Sequence, residues 1–234
     1  EVENLIKIAT NAQIFHKFVY SWQKNKFMKK KLVVLSGAGI SAESGISTFR
    51  DSNGLWENHR VEDVASPEGW KRDQKLVLDF YNKRRKQLKE VEPNQAHLLI
   101  AELEKYHEVT VITQNVDDLH ERAGSTKVIH LHGELRKVRS TKNPNLIYHW
   151  EDDVCAGDYC EENSQLRPHI VWFGESLNEE HLHAARVLAS EADAMIVVGT
   201  SMQVYPASEI PYFASATCLI YVIDPNVNEI KFYE

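Results

Sequence analysis

The sequence predicts a Rossmann-like α/β fold: a mostly parallel sheet with helices on both faces and a small inserted lobe. Lys31–Arg50, KLVVLSGAGISAESGISTFR, runs from an apolar strand through Gly37-Ala38-Gly39 into a small-residue segment. That order ends a buried strand in a glycine turn and opens a helix, the arrangement that holds a pyrophosphate against backbone N–H groups. Further apolar runs of strand length, Val109–Thr113, Ala194–Val198 and Cys218–Ile223, are separated by helical stretches, which reads as parallel strands with crossover helices. Polar residues stand directly behind the strands, as in Gln114-Asn115-Val116-Asp117, at the edge where open α/β sheets bind ligands.

A chain of 234 residues with 43% apolar composition can bury a core as one domain, or as one domain with an inserted lobe. The formal charge of −7 argues against nucleic acid as the main partner, because phosphate binding wants a basic face. No apolar run approaches the roughly 20 residues that span a bilayer, so no membrane partner is expected. The cysteines are Cys155, Cys160 and Cys218, an odd and sparse set that suits a reducing, cytoplasmic compartment without a disulfide framework.

Taken in order, residues 1–27 mix apolar and polar residues at roughly helical intervals, with neither a secretory h-region nor a small-residue cleavage site. They read as an N-terminal extension, a docked helix or non-native residues ahead of Met28, with nothing catalytic in them. The Rossmann-like domain is expected over 28–58, 93–134 and 167–234, and the small lobe over 59–92 and 135–166. Asp51 to Gln74 holds no strand-length apolar run and reads as a long polar loop covering the ligand. Lys75–Glu90 reads as a helix with Leu76, Val77, Phe80, Tyr81 and Leu88 on its apolar face. Pro93-Asn94 ends it, and Asn94 caps a second helix through Tyr106. Val128-Ile129 is a short strand leading to His130-Leu131-His132-Gly133. Residues 135–166, mixed in charge and holding Asn143-Pro144-Asn145 with two cysteines, read as loop-rich. Regular text resumes with Arg167–Glu175, a helix near Asn178–Ser190 and another after Pro206.

Gly37, Gly39 and Ala42 satisfy the G-x-G-x-x-G/A spacing of nicotinamide dehydrogenases. A dehydrogenase would add a second strand ending in an acidic residue about 20 residues on, which the polar stretch after Asp51 does not supply. Asn115 and Asp117 alternate past a strand end, so they can share a pocket or simply cap the next helix. His130 and His132 share one face of an extended segment, and spacing alone does not choose between them as base or as network histidine. Imidazole suits a base because its unperturbed pKa is about 6.5.

GAGISAESGISTFR, TQNVDDLHERAG, HLHGEL, RPHIVWFGE and VGTSMQVYPA, in this order over roughly Lys31 to Pro225, resemble the sirtuins, the NAD-dependent protein-lysine deacylases. The resemblance implies NAD as cofactor and acylated-lysine proteins as partners. It also implies a reaction in which the acyl oxygen attacks the ribose anomeric carbon, nicotinamide leaves, and a ribose hydroxyl then attacks the adduct. It assigns the base to His132, with Asn115 beside it in the catalytic set. Gly37, Ala38, Gly39, Ser41, Phe49, Arg50 and Trp56 would serve the pyrophosphate and nicotinamide side, and Asp117 the carboxamide. Gln114 and Asn115 would contact ribose or position water, Gly199, Thr200 and Ser201 phosphate and ribose, and Asp224 and Asn226 the adenosine ribose. Val171, Trp172 and Phe173 would form an extended edge to which the substrate peptide adds as a strand.

Tyr81 and Arg84, at i and i+3 on one helix face, resemble the Tyr-x-x-Arg pair of sirtuins that prefer succinyl, malonyl or glutaryl lysine, and Ala65 leaves the acyl channel wide. A charge-assisted Arg–carboxylate bond of about 1.5–3 kcal/mol sets such a preference while acetyl is still accepted. Without the resemblance, Arg84 in Lys83–Lys86 reads as part of a solvated basic face. Most sirtuins hold zinc with two C-x-x-C pairs. Here Val138-Arg139-Ser140-Thr141 stands in the first place and Cys155 and Cys160 are one residue too far apart, so no metal is expected. The lobe is then expected to rest on packing around Leu146, Ile147, Tyr148 and Trp150. The sequence ends soon after Asp224, which leaves adenine contacts unassigned, and a monomer is expected. Competing readings are an NAD or ADP-ribose binding module without turnover, and a peptide-independent NAD hydrolase or ADP-ribosyltransferase. The presence of both His132 and Asn115 argues against the first.

Overall fold

The computed structural model describes residues 6–9, 29–47 and 55–226. The chain runs through β1 (Ile6–Ala9), β2 (Lys31–Ser36), a 3₁₀ segment Ala38–Ser44, β3 (Leu55–Trp56), β4 (His59–Arg60), α1 (Val61–Val64), α2 (Pro67–Arg72), α3 (Gln74–Glu90) and α4 (Gln95–Leu103). There follow β5 (Glu108–Thr113), α5 (Leu119–Arg122), β6 (Val128–His130), β7 (Gly133–Ser140), β8 (Ile147–His149), β9 (Leu166–Ile170), α6 (Glu179–Glu191), β10 (Ala194–Val198), a 3₁₀ segment Ala207–Phe213 and β11 (Leu219–Ile223).

The continuous apolar run of β2 has a geometric cause. Leu32 and Val34 pack with Leu99, Ile100 and Leu103 of α4, whereas Val33 and Leu35 pack with Ala185 and Ala189 of α6. Alternate side chains leave a strand on opposite faces, so a strand covered by helices on both sides must be apolar throughout. The parallel sheet has the order β1-β11-β10-β2-β5-β6. Because β2 has β5 on one side and β10 on the other, the chain leaves their C-terminal ends in opposite directions and a crevice opens between them.

The small lobe packs α1–α3 against an antiparallel sheet of order β8-β7-β9. Its core gathers Val77, Phe80, Tyr81 and Leu88 of α3 with Trp70, Leu135, Val138 and Trp172. Asn94 caps α4 reciprocally: its Oδ1 accepts from the Ala96 N–H at 2.9 Å while His97 Nδ1 accepts from the Asn94 N–H at 3.3 Å. The Asn94 amide also donates to Ile40 O at 2.7 Å, which ties α4 to the first 3₁₀ segment.

Several expectations change. Within 1–27, where a docked helix was one reading, Ile6–Ala9 is an edge strand in register with Ile220–Ile223. The remainder of that stretch lies outside the described residues. Asp51–Gln74 is not one long loop: from residue 55 on it forms the β3–β4 hairpin, α1 and α2. Ser66 caps α2 by accepting from the Gly69 N–H at 2.9 Å, and Pro67 takes the first helical position, where no N–H is needed. The lobe sheet oversteps 135–166 at both ends, because β7 and β9 pair from Gly133↔Ile170 to Ser140↔Leu166. Leu146, Tyr148 and Trp150 pack against the lobe core, whereas Ile147 is exposed on the opposite face of β8 from Tyr148.

Among the described residues no group of three or more His, Cys, Asp or Glu side chains is placed to hold a metal ion. No helix there is long and apolar enough to cross a membrane.

Candidate active site

Two glycine-bearing turns meet at the crevice. The Gly37 N–H donates to Val198 O at 3.0 Å and the Gly39 N–H to Gly199 O at 2.8 Å. The approach is too close for side chains: a Cβ on Gly37 would lie 2.7 Å from Gly199 O, and one on Gly199, at φ 62°, would lie 2.2 Å from Ile40 N. This changes the expected anion site. The turn opens a 3₁₀ segment, and two of its N–H groups are engaged across the crevice. The Ala38 N–H between them has no backbone partner among the described residues.

The crevice widens into a cavity of about 870 Å³ between the sheet and the small lobe. Gly37, Ala38, Gly39, Gln114, Asn115, Asp117, Gly199, Thr200, Ser201, Asp224 and Asn226 line its sheet side. Trp56, Ala65, Tyr81, Arg84, His132, Val171, Trp172 and Phe173 line the same cavity. Ser41 sits behind this lining. Phe49 and Arg50 lie outside the described residues.

A polar chain fixes the floor. The Asn115 amide donates to Ser41 Oγ at 3.0 Å, and the Ser41 hydroxyl donates to Asp117 Oδ2 at 2.9 Å. Burial pushes the Asp117 carboxyl above its ordinary pKa, against the Leu119 N–H and the Ser41 hydroxyl. The Asn115 N–H donates to Thr113 Oγ1 at 3.0 Å, and Gln114 donates from its side-chain amide to Thr200 Oγ1 at 2.8 Å, bridging the ends of β5 and β10. Asn115 Oδ1 is buried with no hydrogen-bond partner among the described residues, an acceptor suited to a donor from a ligand.

The two histidines separate cleanly. His130 donates through Nδ1 to Asn115 O at 2.9 Å and through Nε2 to Glu121 at 2.7 Å. Burial pulls its pKa down, but the Glu121 bond and charge outweigh burial and leave it raised, so both ring nitrogens are committed. His132 donates Nδ1–H to Gln114 O at 3.0 Å, which leaves Nε2 as the unprotonated nitrogen at the cavity. Burial lowers its pKa against that bond, which favours the neutral ring.

At the lobe end, Trp172 Nε1–H donates to the Tyr81 hydroxyl at 3.0 Å, and Tyr81 is fully buried with its pKa raised by desolvation. The Arg84 guanidinium lies 3.5 Å from Glu57. The 171–173 segment is not a strand, and its N–H groups are engaged: Val171 with His132 O, Trp172 with Glu175 Oε2 and Phe173 with Ala65 O. An added peptide strand would therefore find these N–H groups already taken.

Sequence reasoning passed over Glu57 and Gln203-Val204-Tyr205, which also line the cavity. The latter stand inside VGTSMQVYPA and were open to notice. Glu57 sits in a hairpin turn written Glu-Asn, without the Asn-Gly signature that marks such turns.

The arrangement offers hydroxyls and an N–H at paired turns, carboxylates and amide groups on the floor, and a neutral imidazole beside them, a set that suits a phosphate-bearing ligand with sugar hydroxyls. A family model described as the Sir2 family matches residues 37–206. The chain is 60% identical over 196 residues to an NAD-dependent protein deacylase of Helicobacter pylori, covering 84% of this chain and 85% of that protein. It is 52% identical to an NAD-dependent protein deacylase of Bacteroides thetaiotaomicron, covering 84% and 86%. A solved Sir2 homolog–NAD complex aligns with a TM-score of 0.74 at 37% identity, covering 92% of this chain and 91% of that one.

Proposed function

This chain belongs to the Sir2 family, and on that premise we propose that its deacylase activity reaches acidic acyl groups, succinyl and malonyl, as well as acetyl. It is an NAD-dependent protein deacylase acting on acylated lysine. Bound NAD supplies an anomeric carbon with nicotinamide as its leaving group. The chain's own residues do the remainder. His132 takes a sugar hydroxyl proton at Nε2, a role that needs the neutral ring and the tautomer that Gln114 O imposes. Asn115 and Asp117, tied together through Ser41, would hold ribose and carboxamide on the floor. The hydroxyls of Thr200 and Ser201 and the Ala38 N–H, which line the cavity at the paired turns, would hold the phosphates.

The observation that carries the acyl preference is the enclosure of Arg84. Its side chain is 15% exposed at the lobe end of the cavity beside Tyr81 and Ala65, so it is not a solvated basic residue. A desolvated guanidinium rewards a carboxylate that reaches it and gives little to a methyl group. The net charge of −7 fits an enzyme without a nucleic-acid partner, and the sparse free cysteines fit a cytoplasmic one. The test is nicotinamide release from NAD with succinyl-lysine peptide, acetyl-lysine peptide or no peptide. Release with both peptides, higher with succinyl, is expected. Release without peptide would contradict the deacylase reading, and a strict acetyl preference would contradict the acyl assignment.

A further inference from the structure

The acyl end of the cavity already contains a carboxylate of the protein's own. Glu57 takes the first of two left-handed positions in the β3–β4 turn, φ 50° with Asn58 at 66°. Its Oε2 lies 3.5 Å from Arg84 Nη1, with the two side chains 22% and 15% exposed. Arg84 also leans on the Phe80 ring, 5.0 Å from its centroid, and its Nε is buried with no hydrogen-bond partner among the described residues. Burial lowers the guanidinium's pKa and Glu57 opposes the shift. The contact is an ion pair longer than a charge-assisted hydrogen bond of about 2.7–2.9 Å. The fork of the guanidinium is thus neutralised, with no hydrogen bond to it among the described residues.

We infer that Glu57 is a specificity-determining residue, the resident counter-charge of Arg84 that favours neutral acyl groups and opposes acidic ones. With acetyl in the channel, Glu57 keeps a buried cation compensated. With succinyl, two carboxylates converge on one guanidinium in a partly desolvated channel, and their mutual repulsion subtracts from the gain at Arg84. The inference rests on the acidic-acyl reading of Arg84 given above and adds a residue that works against it. Arg84 and Glu57 together, not Arg84 alone, then set the ratio of acidic to neutral turnover.

Glu57→Gln keeps shape and removes charge, and Glu57→Ala removes the charge with a different shape; thermal melts establish that each folds. The readouts are kcat/KM and peptide Kd, by fluorescence anisotropy, for succinyl- and acetyl-lysine in one peptide. The succinyl-to-acetyl ratio is expected to rise about tenfold in both variants, about 1.4 kcal/mol, chiefly through KM and Kd. Glu57→Asp, which keeps the charge, stays within about twofold of the parent ratio. A peptide carrying the terminal amide of succinyl-lysine has no charge to repel, and its ratio to acetyl stays flat in Glu57→Gln. An unchanged succinyl ratio, or an equal rise for the amide, would overturn the inference and leave Glu57 a space-filler. Arg84→Met, assayed in parallel, separates the two levels. If it lowers the succinyl ratio while Glu57→Gln leaves it flat, the Glu57 inference alone fails; if it leaves the ratio unchanged, the acidic-acyl reading beneath it fails.

Discussion

At His132 one hydrogen bond decides which ring nitrogen is left to accept a proton. The Gln114 carbonyl can only accept, so Nδ1 carries the proton and Nε2 does not. Burial holds the ring's pKa below its ordinary value, and a base must be deprotonated to work. The acid limb of kcat/KM should therefore fall below a pH of about 6.5; a limb above that value would contradict the tautomer and the burial argument. Arg84→Met should raise the succinyl-peptide KM by about ten- to a hundredfold, with a much smaller change for acetyl, and steady-state kinetics on the two peptides measures it. Asn115 and Asp117 were readable at this scale because period-2 alternation behind a strand is local. The choice between His130 and His132 was not readable from spacing, since it depends on Glu121 and Gln114, which only the fold brings into contact.

Between the two turns, the decisive quantity is clearance. A methyl on Gly37 meets the Gly199 carbonyl at 2.7 Å, and one on Gly199 meets Ile40 N at 2.2 Å in a left-handed conformation. Gly37→Ala and Gly199→Ala should each cost about 1–3 kcal/mol by thermal or denaturant unfolding, with Gly199→Ala the worse, and each should weaken NAD binding by calorimetry. Stability and NAD affinity both equal to the parent would contradict the close-packed pair. The strand β2 was legible because both its faces are buried, which leaves a continuous apolar run. The 3₁₀ form of the segment after Gly37 was not, because it follows from cross-turn bonds to Val198 and Gly199, far along the chain. The short hairpin and helices after residue 55 escaped for a related reason: two-residue strands and helices of four and six residues carry too few residues for a periodic signal.

Across the whole molecule, the cavity exists because a parallel sheet and a small lobe close on each other, and the lobe's shape rests on an apolar core. Trp172 is 2% exposed, with the Arg167 guanidinium 3.2 Å over its ring and its Nε1–H bonded to Tyr81. Trp172→Ala should cost about 3–5 kcal/mol and lower the Tm by several degrees. On the expectation that packing around the lobe core, with no metal, holds the lobe, treatment with a chelator should leave the Tm unchanged; a chelator-induced fall would contradict that. Fold class was legible from the order of apolar runs and breaks. The edge strand β1 was not, because Ile6 pairs with Ile220 and no local pattern carries a pairing of that separation. The most direct test of the central claim is product formation by His132→Ala supplied with NAD and acyl-lysine peptide, with NAD affinity measured alongside. Deacylated peptide should fall by about 10²–10⁴-fold while NAD binding stays near the parent value. Deacylation at the parent rate would contradict the assignment of the base, and with it the account of the site.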